Sequence, residues 1–277
     1  MSAEEFFNHF LEELTSRDKL REYYKFLDDP AKLPFRKAYF CQRLQYIIDN
    51  IRAVGTRPGV PLKIWDVGCG YATTQIFLAI NGISSRGSTL EFYFKEIPER
   101  LRYWEQFGDM SLLKVSYENI FDTAVAENSE DVILVQDTLH HLEPLQGSLQ
   151  IFRNTLRPGG MLLAIEENGN NILQRMKLYR YRGNRRIIEY YDEGLGRMVM
   201  MGNENIRPYA LWKKELAAAG LVMDPKRLQY IRLLPPIFFT KNTPARMIEK
   251  EQKLWKRFPL LREYFFFGIN FIARKPL

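Results

Sequence analysis

Two short stretches of this sequence carry residue types that could do chemistry, at a spacing that would position them. The first is Ile64-Trp65-Asp66-Val67-Gly68-Cys69-Gly70-Tyr71-Ala72, where an apolar run meets a carboxylate, then glycines, then a helical pattern. Gly68 and Gly70 permit a tight turn and let the backbone lie against a ligand, where a Cβ would block either. The second is Leu139-His140-His141-Leu142, which follows the apolar run Asp131 to Gln136. Imidazole titrates near neutrality, so either histidine suits proton transfer, and either equally suits a shaping role in a pocket wall. A third stretch, Lys177 to Tyr191 (KLYRYRGNRRIIEYY), interleaves basic and aromatic residues. It reads as a strip for phosphates or nucleobases, or as a lid helix with a solvated face. The nearby run Arg197 to Met201 adds pliable apolar surface that could line a pocket or belong to the core.

The elements that must hold these groups follow from periodicity. Phe7, Phe10, Leu11 and Leu14 share helical spacing, and Leu20, Tyr23, Tyr24 and Leu27 resume it after a polar break in which Ser16 or Asp18 would cap. A third helix carries Phe40, Cys41, Leu44, Ile47, Ile48 and Ile51 on one face and should end at Gly55, Pro58 and Gly59. From Leu62 onward, short apolar runs alternate with helical stretches. Leu62 to Val67, Thr89 to Phe94, Leu112 to Tyr117, Asp131 to Gln136 and Met161 to Ile165 read as strands. Tyr209 to Ala219 reads as a helix and Tyr264 to Arg274 as a last strand. This alternation predicts an α/β fold with a mostly parallel, seven-stranded sheet. Residues 1–55 should form a helical cap on a domain spanning 56–277, with insertions at 168–207 and 235–261 of the kind that build lids or binding elements.

The 277 residues are 46% hydrophobic, with a net charge of +7 and a pI near 9.3. That length suits one large domain with additions, and the charge leaves nucleic acid, an acidic surface or a small anion open as partners. No apolar run approaches the roughly 20 residues of a membrane span. MSAEEFFNHF lacks the features of a secretory signal, so a cytoplasmic location is expected. Cys41 and Cys69 sit in a helix and a Gly-rich turn, which disfavours a disulfide. With 3 His and 2 Cys at no ligand-like spacing, no metal site is expected.

The glycine stretch resembles motif I of class I S-adenosylmethionine (SAM)-dependent methyltransferases, a Rossmann-like fold. Asn119-Ile120-Phe121-Asp122 resembles the turn after the third strand. Leu139-His140-His141-Leu142 resembles the exit from the fourth, and Leu156-Arg157-Pro158-Gly159-Gly160 the turn before the fifth, which ends in Glu166 and Glu167. The resemblance covers Leu62 to Glu167, with a weaker echo at Leu211 to Leu221. It implies that Asp66 holds the methionine amino group of SAM, or of its product S-adenosylhomocysteine, over the backbone of Gly68, Cys69 and Gly70. Glu96 would take the ribose hydroxyls, because neighbouring Lys95 cannot accept hydrogen bonds. Asn119 and Ile120 would hold the adenine, and Gln136 and Asp137 would line the site near the sulfonium. His140 matches the general base of similar phenol O-methyltransferases, with His141 beside it. Ala72 stands where a third glycine is usual, a packing position that tolerates alanine. The expected activity is methyl transfer to a small, lipophilic or aromatic acceptor, on oxygen. The rival readings are an RNA methyltransferase, favoured by the basic strip, and a SAM-binding partner subunit without activity.

Overall fold

Apolar runs that are buried on both faces need a parallel sheet with helices on each side, and this is the arrangement found. The computed structural model describes every residue except 55–59 and 91. In chain order the elements are α1 (Ala3–Ser16), α2 (Asp18–Tyr24), α3 (Leu33–Arg52), β1 (Ile64–Val67), α4 (Thr73–Ile80), β2 (Ser85–Thr89), α5 (Ile97–Trp104), β3 (Leu113–Tyr117), β4 (Glu130–Gln136), α6 (Leu145–Thr155), β5 (Leu156–Glu167), α7 (Ile172–Arg182), β6 (Ile187–Asp192), β7 (Arg197–Gly202), α8 (Tyr209–Ala218), β8 (Val222–Met223), β9 (Gln229–Ile231), α9 (Ile237–Thr240), α10 (Pro244–Arg257), α11 (Pro259–Phe265) and β10 (Gly268–Arg274). The sheet order is β3-β2-β1-β4-β5-β10-β8. The first five strands run parallel and β10 runs antiparallel to β5.

Several expectations need correction. The sheet has eight strands, because β10 is long enough to pair β9 at Gly268–Asn270 and β8 at Ala273–Arg274. The second strand is Ser85–Thr89, not Thr89 to Phe94; Phe92–Glu96 form a 3₁₀ turn. Its sequence, SRGST, has no hydrophobic pattern to read, yet it is largely buried between β1 and β3, and Ser88 Oγ accepts from Trp65 Nε1 at 3.0 Å. The last strand begins only at Gly268, since Tyr264 and Phe265 close α11. Neither Ser16 nor Asp18 caps α2; Arg17 stands at the cap without a side-chain bond, and Ser16 donates back to the Glu13 carbonyl. The predicted helix end at Gly55, Pro58 and Gly59 lies outside the described residues.

The N-terminal helices share their core with the sheet's own helices. Phe6, Phe10 and Leu14 of α1 pack with Phe77 of α4 and Trp104 of α5, the Phe6 and Trp104 rings 4.7 Å apart. A fully buried ion pair locks them: Arg100 donates to both Glu13 oxygens at 2.8 and 2.7 Å, and to Tyr71 O and Thr73 Oγ1 at the start of α4. The first insertion forms α7 and the antiparallel β6–β7 hairpin; the second forms α9 and α10. Among the described residues, no helix is long and apolar enough to cross a membrane.

Candidate active site

The loop between β1 and α4 is held to the end of β2, where Gly68 N and Cys69 N donate to Ser88 O at 2.8 and 3.1 Å. Gly68, Gly70 and Ala72 have φ of 72°, 53° and 59°, so the loop needs the left-handed region three times in five residues. A Cβ on Gly68 would stand 2.3 Å from the Thr138 side chain, whereas a Cβ on Gly70 would meet nothing within 4 Å. Gly70 is therefore the position that borders open space, and Gly68 is the one that lets the loop approach Thr138. Asp66 lies beneath the loop, 0% exposed, with no hydrogen-bond partner for either oxygen. Burial pushes its carboxyl up to about 7, with the Gln136 amide offsetting only a little.

Above the loop is a cavity of about 790 Å³. Its walls come from three places: Tyr23, Tyr24, Phe35 and Tyr39 of the N-terminal helices; the strand ends carrying Asn119, Ile120, Gln136, Asp137, Thr138 and His141; and Tyr190 with Val199 to Met201 of the β6–β7 hairpin. Of the residues singled out from sequence, Gly68, Cys69, Gly70, Asn119, Ile120, Gln136, Asp137 and His141 line it, while Asp66, Glu96 and His140 do not. Glu96 pairs instead with Lys19 at 2.6 Å. The reason is the earlier end of β2: the first carboxylate after Thr89 in the chain is Glu91, which lies outside the described residues.

The polar wall residues are mostly engaged already. Asn119 Oδ1 accepts from Phe121 N at 3.1 Å, and Gln136 Nε2 donates to Thr74 Oγ1 at 2.9 Å. Asp137, with φ of 48°, pairs with Arg43 of α3 at 2.7 Å. Burial works to raise the Asp137 carboxyl, but the charges of Arg43 and Arg232 hold it below the usual range. Asp137 thus lines the cavity already paired with a cation from the helical cap. Arg43 carries no motif and was not legible in the sequence.

The two histidines separate sharply. His140 is buried, and its Nδ1 lies 2.5 Å from Glu166 Oε2. Burial alone would lower the imidazole, yet the carboxylates of Glu166, Asp137 and Glu204 outweigh it and raise His140 to about 9. His141 sits on the cavity wall and its Nδ1–H donates to Gly202 O at 2.7 Å, which leaves Nε2 as the lone-pair nitrogen of the neutral ring. Burial, and then the neighbouring His140 charge, lower its pKa below the ordinary 6.5. Gly202 makes this possible, because a Cβ there would stand 2.0 Å from the His140 carbonyl oxygen. His140, His141 and Glu204 each bring a donor atom within 4.8 Å of one another, a convergence that spacing along the chain did not reveal. With Glu166 at 2.5 Å and Glu204 at 3.8 Å from its two ring nitrogens, His140 stands as an imidazolium between two carboxylates.

Comparison with known proteins turns this geometry into an assignment. Residues 65–164, from β1 into β5, match the family described as a methyltransferase domain. Those residues form a methyltransferase domain. Over 146 residues it is 27% identical to the non-reducing polyketide synthase sorB of Penicillium rubens, a match covering 50% of this chain and 5% of that protein. It thus spans only a small part of the length of that curated relative. Its fold is similar to a structure named as a sarcosine dimethylglycine methyltransferase of Galdieria sulphuraria, at a TM-score of 0.57, 15% identity and 86% coverage of each chain. It is also similar to phosphoethanolamine N-methyltransferase 2 of Haemonchus contortus in complex with S-adenosyl-L-methionine, at 0.54 and 14%, covering 84% of this chain and 52% of that one. The matched residues supply the parallel strands β1 to β5, and the aromatic walls of the cavity come largely from segments outside them.

Proposed function

We propose that this protein transfers a methyl group from SAM to a small, largely apolar acceptor held in the aromatic half of the cavity, and that it methylates oxygen. The observation that carries this reading is the cavity itself, which joins a glycine loop to walls of Tyr, Phe and Met supplied by the helical cap and the β6–β7 hairpin. The residues present fit the cofactor. Gly70 leaves room for it, Asn119 and Ile120 line the same cavity, and the orphaned Asp66 carboxylate beneath the glycine loop is a buried acceptor that a cationic amino group would satisfy. When bound, SAM supplies an electrophilic methyl group on a sulfonium.

The chain's own contribution is alignment, exclusion of water and receipt of a proton. His141 lies on the cavity wall with its Nδ1–H held by Gly202 O and its Nε2 4.0 Å from Glu204 Oε1, so we assign that nitrogen the proton that leaves an acceptor hydroxyl. His140, held charged by Glu166, fixes the turn and keeps His141 neutral by repulsion. The polyketide synthase relative favours an acceptor of polyketide chemistry, a phenol or an enolisable ketone, which the aromatic walls would accommodate. The test is a panel of phenolic and 1,3-dicarbonyl acceptors with radiolabelled SAM. Acceptor-dependent label transfer to oxygen is expected. Binding of SAM without transfer to any acceptor would instead favour a partner subunit.

A further inference from the structure

A second cavity, of about 570 Å³, opens between α7 and the start of β6. Among the residues that line it are Arg175, Arg182 and Arg186, together with Asn170, Asn184 and Tyr179, and no Asp or Glu. The sequence explains this one-sided charge: residues 168–188 contain six Lys or Arg and not one acid. Among the described residues, none of the three arginines forms an ion pair with a carboxylate. Arg182 Nε is buried and has no hydrogen-bond partner, while its two other nitrogens reach only backbone carbonyls, Gly183 O at 3.4 Å and Glu204 O at 3.2 Å. Burial and then the Arg186 charge depress the Arg182 guanidinium, and the Glu204 charge only partly offsets them.

Like charges gathered around a concave space, with an unsatisfied donor among them, are stabilised by an anion. Guanidinium groups match phosphate best, because their forked donors bind its oxygens in pairs. The cavity is several times larger than a phosphate ion and has Met176, Leu178 and Ile206 beside the arginines, so it also has room for an organic stem. We propose that this cavity is a phosphate-binding site that takes the phosphate or diphosphate group of a small ligand. Arg182 touches the Glu204 carbonyl, and Arg186 precedes the strand that sends Tyr190 into the acceptor cavity. An anion here would therefore brace the hairpin that forms one wall of the methyl-transfer site. The proposal does not depend on which acceptor is methylated.

Calorimetry on the full chain tests it, with inorganic phosphate, pyrophosphate and phenyl phosphate as probes and S-adenosylhomocysteine as the reference ligand. Saturable binding of one equivalent of phosphate or pyrophosphate is expected, weakened by roughly tenfold or more in Arg182→Gln, the loss that follows removal of a charge-assisted hydrogen bond. Arg175→Gln, at an exposed position, should weaken it as well and carries little risk to folding. S-adenosylhomocysteine affinity should stay within about twofold of the unmodified protein in both variants, because neither arginine lines its cavity. Tighter binding of phenyl phosphate than of phosphate would assign the site to an organic ester, and equal binding to the free ion. No saturable binding at millimolar probe, or binding that neither variant alters, would overturn the proposal.

Discussion

His140 and His141 are adjacent in the chain, yet their pKa values move in opposite directions: the carboxylates led by Glu166 outweigh burial at His140, whereas burial and the His140 charge outweigh Glu204 and Glu166 at His141. If His141 receives the acceptor's proton, His141→Ala should lower turnover by about 100- to 10,000-fold and leave S-adenosylhomocysteine affinity nearly unchanged. Single-turnover kinetics beside calorimetry would separate the two effects, and equal turnover across neutral pH would remove His141 from the mechanism. Gly70 and Gly68 offer a second contrast. Gly70→Val fills open space at the cavity floor and is expected to abolish cofactor binding in a folded protein. Gly68→Val meets Thr138 and should first lower the melting temperature. Asp66 gives the third prediction. Its folded carboxyl titrates near 7 because it is buried without partners, while the unfolded value is about 3.9. The protonated form is thus favoured in the empty protein, and this group makes the empty protein less stable as pH rises from about 4 to 7. A cationic amino group selects the ionised form, so S-adenosylhomocysteine affinity should climb with pH and level off above about 7. In Asp66→Asn that rise should vanish. A pH-independent affinity in the unmodified protein would detach Asp66 from the cofactor.

Among the elements, α1 is the one whose role in the site is least evident from its own residues. It lines no part of the acceptor cavity, but through Glu13 it fixes Arg100, which in turn holds the Tyr71 carbonyl and Thr73 at the end of the glycine loop. Removing one member of a fully buried pair leaves the other charge uncompensated, at a cost of about 3–5 kcal/mol. Glu13→Gln should therefore lower the unfolding free energy by that order in denaturant titrations, and a change below about 1 kcal/mol would show the pair to be dispensable. The helical spacing of Phe7, Phe10 and Leu14 was legible because an amphipathic helix repeats every few residues. The Glu13–Arg100 pair was not, because its members are 87 positions apart and look like two ordinary surface charges. The same physics explains β2. Its serines, glycine, threonine and arginine fill the space between two strands and leave no hydrophobic signal, so periodicity predicts a strand that starts four residues late. The turns at Gly68 and Gly159 are legible locally because a positive φ restricts the residue type there. Arg43 and Gly202 act through contacts with distant turns, and no local pattern marks them.

For the molecule as a whole, the open question is what the charge of +7 is for. A surface that binds RNA needs cations spread along a track, and its affinity falls steeply with salt as counterions are released. Here much of the positive charge is already matched: Arg17, Lys19, Lys37, Arg43, Arg100 and Arg207 each pair with a carboxylate. The arginines at 175, 182 and 186, which pair with no carboxylate among the described residues, line one cavity instead of lying along a track. The acceptor cavity, meanwhile, is walled by aromatic rings from two separate parts of the chain, which suits a small molecule. The expected outcome is that total tRNA and rRNA fragments bind only weakly at about 0.15 M salt, a concentration that screens scattered surface charge within roughly 8 Å. Fluorescence anisotropy between low and physiological salt measures this directly. A track of six neutralised phosphates would give a logarithmic salt slope of about −5 on duplex RNA-like ligands. A tight complex with such a slope, lost when Lys177, Arg180 and Arg185 are replaced by Gln, would place the acceptor on RNA and overturn the small-molecule reading.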